Sequence, residues 1–377
     1  MAISAGAIWM ERGHMKKRLL PLLTAFVLIS GLLMGCTPKP QYKKYRSEFM
    51  DTFDTNVIVM AYASSQAEYD ALYDIVHDEF VRMHRLFDIY HTYSGINNIK
   101  TINDNAGIQP VKVDADIIEL IELSKEWDKK TDGVVNIALG SVLSIWHEYR
   151  EAGISDPGSA QLPPMADLKA ASAHTDIDKV IVDKAASTVY LADPDMSLDV
   201  GAVAKGYATE AVARLLMEKG YGSVLISAGG NIRAIGAPLD GVRKKWGVGI
   251  KDPNSPLAGS TDESNLLDVA FVTDMSVVSS GVYERFYTVD GQQYHHLIDP
   301  DTLMPSTHYK AVTVITQDSG IADLLSTALF LMPLDKAQPF AESLDGVEAL
   351  WILPDDTVVT TGGMKAMLRD MGGATAQ

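Results

Sequence analysis

Two hydrophobic periods alternate along this chain, and most of its elements follow from them. Residues 53–61 (FDTNVIVMA) alternate β-branched and polar positions as a half-buried strand does. Residues 68–87 place Leu72, Ile75, Val76, Phe80, Met83, Leu86 and Phe87 at helical spacing. Further helices are predicted over 117–127 and 141–149, and a Gly-, Pro- and Ser-rich surface loop over 156–164. A hairpin follows at 180–183 and 188–191. Leu198, a helix over 203–219 and residues 223–227 read as strand, helix and strand. Strands at 246–250, 267–271 and 276–279 surround an acidic polar loop, 252–265. Asp290-Gly291 is a strong turn signal between strands at 283–289 and 293–298. A strand at 312–316, a helix at 321–332 and a strand pair at 347–353 and 358–360 complete the pattern. Strands come in hairpins as well as crossovers, so the fold class is α+β rather than a doubly wound sheet, a single large mixed unit without internal repeats or an interdomain linker.

The N-terminus reads differently. Met15-Lys-Lys-Arg18 is a positive segment, and the apolar run 19–34 is interrupted by Pro21 and Ser30, which suits a cleavable signal better than a membrane span. Met15 also reads as a better start than Met1. Cys36, the only cysteine, closes Leu33-Met34-Gly35-Cys36, which resembles a bacterial lipobox; a free thiol beside an ordinary cleavage site is the alternative. The expected organisation is a signal over 1–35, a lipidated Cys36 with a tether over 36–47, a domain over 48–365 and a flexible tail over 366–377. The expected location is the extracytoplasmic face of a bacterial membrane, anchored through Cys36. A net charge of −17 argues against nucleic acid and against a basic membrane patch, so acyl chains would provide the anchor. A single cysteine allows no internal disulfide.

Candidate chemistry gathers in three segments. Residues 197–207 (SLDVGAVAKGY) read as a strand delivering Asp199, a turn at Gly201 and a helix start whose free N–H groups favour an anion. An Asp199–Lys205 salt bridge is the plain alternative. Asp323 and Thr327 stand four apart on one helix, so both face one side; a capping Asp and a solvated Thr is the alternative there. His295 and His296 are adjacent on a strand and point to opposite faces, which excludes one zinc ion held by both. One of them suits proton transfer or ligand contact, and His295 reads as the outward-facing member.

Together with Ser227-Ala-Gly-Gly-Asn-Ile232 and Ser279-Ser-Gly-Val-Tyr-Glu-Arg285, these segments resemble the FAD:protein FMN transferases, the ApbE family, from about Phe49 to about Gly363. The resemblance implies a T-fold-like domain and Mg²⁺-dependent transfer of FMN from FAD to a Thr or Ser hydroxyl, with release of AMP. It makes the carbonyl of Ala202, Asp323 and Thr327 the Mg²⁺ ligands, with Ser326 standing where a second carboxylate is usual. His296 would deprotonate the acceptor hydroxyl. Asp199, Lys205 and Ile298 would contact FAD, Met50 would line the flavin site and Tyr90 would stack on the isoalloxazine. Val134, Val135 and Asn136 would grip the nucleotide end, with Asn136 in place of the usual Asp. The implied acceptor carries a Ser/Thr-Gly-Ala-Thr-type motif, as in a membrane redox subunit. FAD hydrolysis to FMN and AMP, or FAD carriage without chemistry, are the alternatives. The tail sequence Asp370-Met-Gly-Gly-Ala-Thr375 is a degenerate copy of that motif and reads as a frayed terminus.

Overall fold

Eight strands, antiparallel at every pairing, form the spine of the protein. The computed structural model describes residues 41–255, 265–372 and 374–375. The signal segment, Cys36, tether residues 37–40 and residues 256–264 of the acidic loop lie outside the described residues.

In chain order, β1 (Lys43–Thr52) and β2 (Thr55–Ala63) form a hairpin, followed by α1 (Gln66–Phe87), α2 (Ile99–Asp104), β3 (Val111–Lys112), α3 (Ala115–Lys130), α4 (Gly140–Ser155) and α5 (Met165–Ser172). The hairpin β4 (Val180–Asp183) and β5 (Thr188–Leu191) precedes α6 (Ala204–Glu218). Next come β6 (Ser223–Ala228), β7 (Asn231–Gly236), β8 (Trp246–Lys251), β9 (Leu266–Val272), β10 (Ser276–Gly281), β11 (Phe286–Val289), β12 (Gln292–His295) and β13 (Ala311–Thr316). The chain finishes with α7 (Ser319–Leu331), α8 (Leu334–Glu342), β14 (Glu348–Ile352), β15 (Val358–Thr360) and α9 (Arg369–Gly372). The main sheet runs β1-β2-β6-β7-β10-β13-β14-β15. The α+β expectation holds.

The central strands read as continuous apolar runs because both of their faces are covered. In β6, Val224 and Ile226 join a cluster with α1, α6 and α7, while Leu225 joins one with Trp246, Val272 and Leu368 on the other face. A third, smaller cluster holds Leu139, Val142, Trp146, Leu168, Tyr287 and Ile298, tying α4 and α5 to the β11–β12 hairpin. In α7 every residue except Ile321 is buried. A helix buried all round has no solvated face for a polar residue, so Asp323, Ser326 and Thr327 need partners inside.

Several local expectations fail, each for a physical reason. Residues 43–47 are not tether but the start of β1, in unbroken register with β2 from Lys43↔Ala63 to Phe49↔Val57. Exposed Lys43, Lys44 and Arg46 mask the inward alternation of Tyr45, Ser47 and Phe49, and such charges are normal on an edge strand. Leu198 lies in no strand; its neighbour Ser197 makes only an isolated bridge with Leu139. Pro339 inside α8 hid that helix, since proline usually breaks one. The tail is not free over 366–372: Leu368 is fully buried and bridges Ala270, and the Asp370 N–H donates to Asp268 Oδ1 at 3.0 Å.

Candidate active site

The site begins where α6 and α7 touch. At Gly206 a Cβ would collide with the Ser319 carbonyl oxygen and lie 2.5 Å from Asp323 Cβ, so only glycine permits this approach. The start of α6 has no side-chain cap of its own. Instead Asp323, reaching across from α7, accepts the Gly206 N–H at 2.8 Å on Oδ2 and Asn231 Nδ2 at 3.3 Å on Oδ1. Lys205 Nζ stands 4.0 Å from Asp323 Oδ2. Asp323 is 4% exposed, and burial pushes its carboxyl up, against Lys205 and the two hydrogen bonds. Both of its hydrogen-bond donors are neutral, and its ion-pair partner is Lys205.

Thr327, one turn further, is also buried. Ser326 is spent elsewhere, bonding Ser280 Oγ and the Asp323 carbonyl at 2.8 Å each. The Asp199–Lys205 ion pair does not form. Asp199 closes its own turn by accepting the Gly201 N–H at 2.8 Å, and Lys205 donates to the Gly201 carbonyl at 3.4 Å. Asn103 clamps the segment just before, exchanging two hydrogen bonds with the Leu198 backbone at 2.8 and 2.9 Å.

A cavity opens beside this junction. Its wall includes Tyr90, Val134, Val135, Asn136, Asp199, Ala202, Lys205, His296, Ile298 and Thr327. Met50 is not among them: it is 74% exposed on β1, and the turn Phe53–Asp54, with Thr55, reaches the cavity in its stead. That turn has φ of 53° and 49° at its two non-glycine residues, and its Phe53 N–H donates to His84 Nδ1 at 3.3 Å. Asn136 has a local reason for replacing Asp. Its Nδ2 donates to the Thr175 carbonyl at 2.8 Å while its Oδ1 accepts the Ala138 N–H at 2.7 Å, and a carboxylate could only accept.

The two histidines are unlike each other, and neither faces outward. His295 is buried; the Leu297 N–H donates to its Nδ1 at 3.2 Å, so Nε2 carries the proton and donates to the Ser306 carbonyl at 2.8 Å. The surface reading of His295 is therefore wrong: the strand ends at that residue, and the chain folds back across Phe330. His296 turns into the cavity, and its Nδ1 is buried without a partner. Burial first, then the positive Arg285 and Lys205, push its pKa down to about 3. It is a neutral imidazole beside two cations, able to take a proton from a hydroxyl.

Among the lining residues not given a role from sequence are Glu284, Arg285, His147 and Arg150. The left-handed backbone at Arg285, φ 37°, marks a site that no periodicity reveals. Burial pushes the Glu284 carboxyl up, opposed chiefly by Lys205 and Arg285. Arg150 and His147 share a 2.7 Å contact, and the His147 ring lies 5.0 Å from that of Tyr90.

An all-oxygen set of carboxylate, hydroxyl and backbone carbonyl suits a hard cation such as Mg²⁺. The buried Asn231 Oδ1, without a donor, adds a further oxygen beside Asp323. Elsewhere His174, Asp193 and Asp195 lie close enough to share an ion, but Lys179 already holds Asp193 at 2.8 Å, so this is an ion-pair node.

The model described as the ApbE family matches residues 52–351. The FAD:protein FMN transferase of Treponema pallidum is 35% identical over 284 residues, 72% of this chain and 75% of that protein. The FAD:protein FMN transferase of Klebsiella pneumoniae is 30% identical over 291 residues, 75% and 85% of the two chains. Among solved structures, the ApbE protein of Thermotoga maritima aligns with a TM-score of 0.74 at 25% identity, covering 88% of this chain and 100% of that one. The flavin transferase ApbE of Vibrio cholerae, with a TM-score of 0.70 at 20% identity, shares the fold. With family likeness, fold and cavity in agreement, this chain belongs to the ApbE family.

Proposed function

We propose that this chain transfers FMN from FAD to a Thr or Ser hydroxyl of an acceptor protein, using Mg²⁺ and releasing AMP. The observation that carries the reading is a cavity lined by a cation, Lys205, and a neutral histidine, His296, with the buried carboxylate of Asp323 behind its wall, 4.0 Å from Lys205. The names of the curated relatives supply the substrate.

Lys205 and Arg285 supply positive charge for a pyrophosphate. Asp323, Thr327 and the carbonyl of Ala202 are the oxygen donors for the metal. Bound there, Mg²⁺ would polarise the phosphoryl group and neutralise the charge arriving on AMP. His296 takes the proton of the acceptor hydroxyl as its oxygen bonds to the FMN phosphorus and the bond to the AMP oxygen breaks. Tyr90 with His147 offers an aromatic surface for the flavin, Asp199 and Ile298 line its path, and Val134, Val135 and Asn136 lie where the nucleotide end would rest. Met50, exposed on β1, is left without a part in this reading.

The acceptor proposed is an extracytoplasmic or membrane redox protein with a Ser/Thr-Gly-Ala-Thr-type motif, met by an enzyme lipid-anchored through Cys36. That location rests on the sequence of residues 1–36 alone. Loss of fatty-acid labelling in Cys36→Ser is the expected outcome, and unchanged labelling overturns it.

The test is incubation of the protein with FAD, Mg²⁺ and a peptide bearing the motif. AMP release together with an FMN-sized mass gain on the peptide supports transfer. AMP without the mass gain makes the chain a FAD hydrolase, and neither product overturns the catalytic reading.

A further inference from the structure

Asn231 is the first residue of β7 and is 1% exposed. It is held on both sides, paired with Ala228 of β6 and Val278 of β10, in the middle of the main sheet. The two residues before it, Gly229 and Gly230, have φ of 53° and 92° and make the tight two-residue turn from β6. A side chain so placed has little freedom to move.

The two ends of its amide differ. Nδ2 donates to Asp323 Oδ1, but Oδ1 is buried without a hydrogen-bond partner. Turning the amide over would face oxygen against carboxylate, so the donor end belongs on Asp323. A buried amide oxygen left without a donor costs free energy, and its persistence beside a buried carboxylate points to a donor that arrives with a ligand. Asparagine is also the side chain that can hold Asp323 without altering its charge. A lysine would neutralise the carboxylate and compete with a cation, and an aspartate would repel it.

We propose that Asn231 is a positioning residue of the metal centre: its Nδ2 orients the Asp323 carboxylate, and its Oδ1 accepts a hydrogen bond from water held by Mg²⁺. This rests on the proposed function, because it assumes that Asp323 binds the metal. Outer-shell partners of this kind fix the rotation of a ligand and tune its affinity.

The experiment titrates Mg²⁺ into the full chain at fixed FAD and follows quenching of flavin fluorescence, with Mn²⁺ binding by electron paramagnetic resonance as a second readout. In Asn231→Leu, which keeps the branched skeleton and removes both the orphaned oxygen and the donor to Asp323, the metal midpoint is expected to rise roughly 10–100-fold. Excess Mg²⁺ should restore FAD binding. Asn231→Ser, smaller and still polar, should shift the midpoint in the same direction. A folded variant with the wild-type midpoint overturns the inference. If neither variant folds, the unaltered protein decides: low Mn²⁺ should broaden the side-chain amide signals of Asn231, and signals that stay sharp at saturation overturn it. Were the wild type itself indifferent to metal, the proposed metal centre would fall instead, so the two failures are distinct.

Discussion

The two ends of the cavity are built by different means. At the α6–α7 end the functional groups sit in the core: Asp323 and Thr327 belong to a helix buried on nearly every side, and Gly206 brings the backbones together. At the other end Tyr90 is 49% exposed, on a loop after α1 whose N–H groups donate to one carboxylate, Asp88. The difference separates two tasks. A metal and the phosphates need a fixed, dry, charged frame, where each interaction is strong. A large aromatic ring needs a surface that can admit it, and a loop supplies one at lower stability. Substitutions at the first end should act on metal and chemistry, those at the second on affinity.

The largest effect is expected from Asp323→Asn. The amide keeps an acceptor for the Gly206 N–H and the volume of the side chain, so the fold should persist while the buried charge is lost. Losing several kcal/mol of charge stabilisation should slow metal-dependent AMP release by on the order of 10³-fold. Near-normal turnover at low Mg²⁺ would place the metal elsewhere and dissolve the contrast.

His296→Asn should come next. A base held near pKa 3 is weak, so the expected loss is about 10²-fold, the low end for a general base, with FAD binding retained. The sign of the pH effect follows from the depressed value. The unfolded chain takes a proton on this imidazole below its ordinary 6.5, the folded one only near 3. Its contribution to stability is therefore full above pH 6.5 and is lost as pH falls toward 3. The acid limb of kcat/KM should likewise lie below 6.5. Once an anionic ligand offsets Arg285 and Lys205, the limb of kcat should move upward from that of kcat/KM. Coincident limbs, or limbs unchanged in the variant, would remove His296 from proton transfer.

Gly206→Ala tests the packing directly. Alanine is the better helix former by about 1 kcal/mol, so propensity alone stabilises. Here the new Cβ meets backbone on α7, and overpacking of this kind costs about 1–3 kcal/mol. A lower melting temperature is expected, together with weaker metal binding as Asp323 is pushed off the Gly206 N–H. A higher melting temperature would mean that the helices can part freely.

How much was legible beforehand follows the same division. The 3.6-residue period exposed α1, α3, α6 and α7, and the turn at Asp290-Gly291 located β11 and β12. Asp323 and Thr327 stood four apart on one helix face, and only the resemblance to the ApbE family gave that pair a metal-binding meaning. Long-range contacts were not legible. Nothing local in SLDVGAVAKGY says that Lys205 faces Asp323 instead of Asp199, a matter settled 118 residues later in the chain by the packing of Gly206. The inward turn of both histidines depends on a strand that stops at His295. β1 was hidden by its own charges, and Met50 with it. Glu284 and Arg285 were in view within SSGVYER, but the glycine drew attention there and the charged pair did not.

The smallest effect is expected at Asp88, and it tests the looser end alone. Asp88 caps the end of α1; its Oδ1 accepts the N–H groups of Tyr90 at 2.6 Å and His91 at 3.0 Å, and its Oδ2 accepts the Tyr93 hydroxyl at 2.6 Å. The Tyr93 oxygen lies 3.4 Å from His84 Nε2, and His84 Nδ1 holds the Phe53 turn, so a single carboxylate braces two parts of the cavity wall. Asp88→Ala frees both turn N–H groups, and Tyr90 no longer has a fixed orientation. Part of the roughly 1.5–3 kcal/mol carried by a charge-assisted hydrogen bond should appear as weaker FAD binding, about five- to tenfold in KM. Turnover at saturating FAD and the Mg²⁺ midpoint should both stay within about twofold, because neither Asp323 nor His296 touches this loop. Asp88→Asn retains the Oδ1 acceptor and should recover most of the affinity. A Mg²⁺ midpoint that moved with Asp88→Ala would show that the rim and the metal end act as one body.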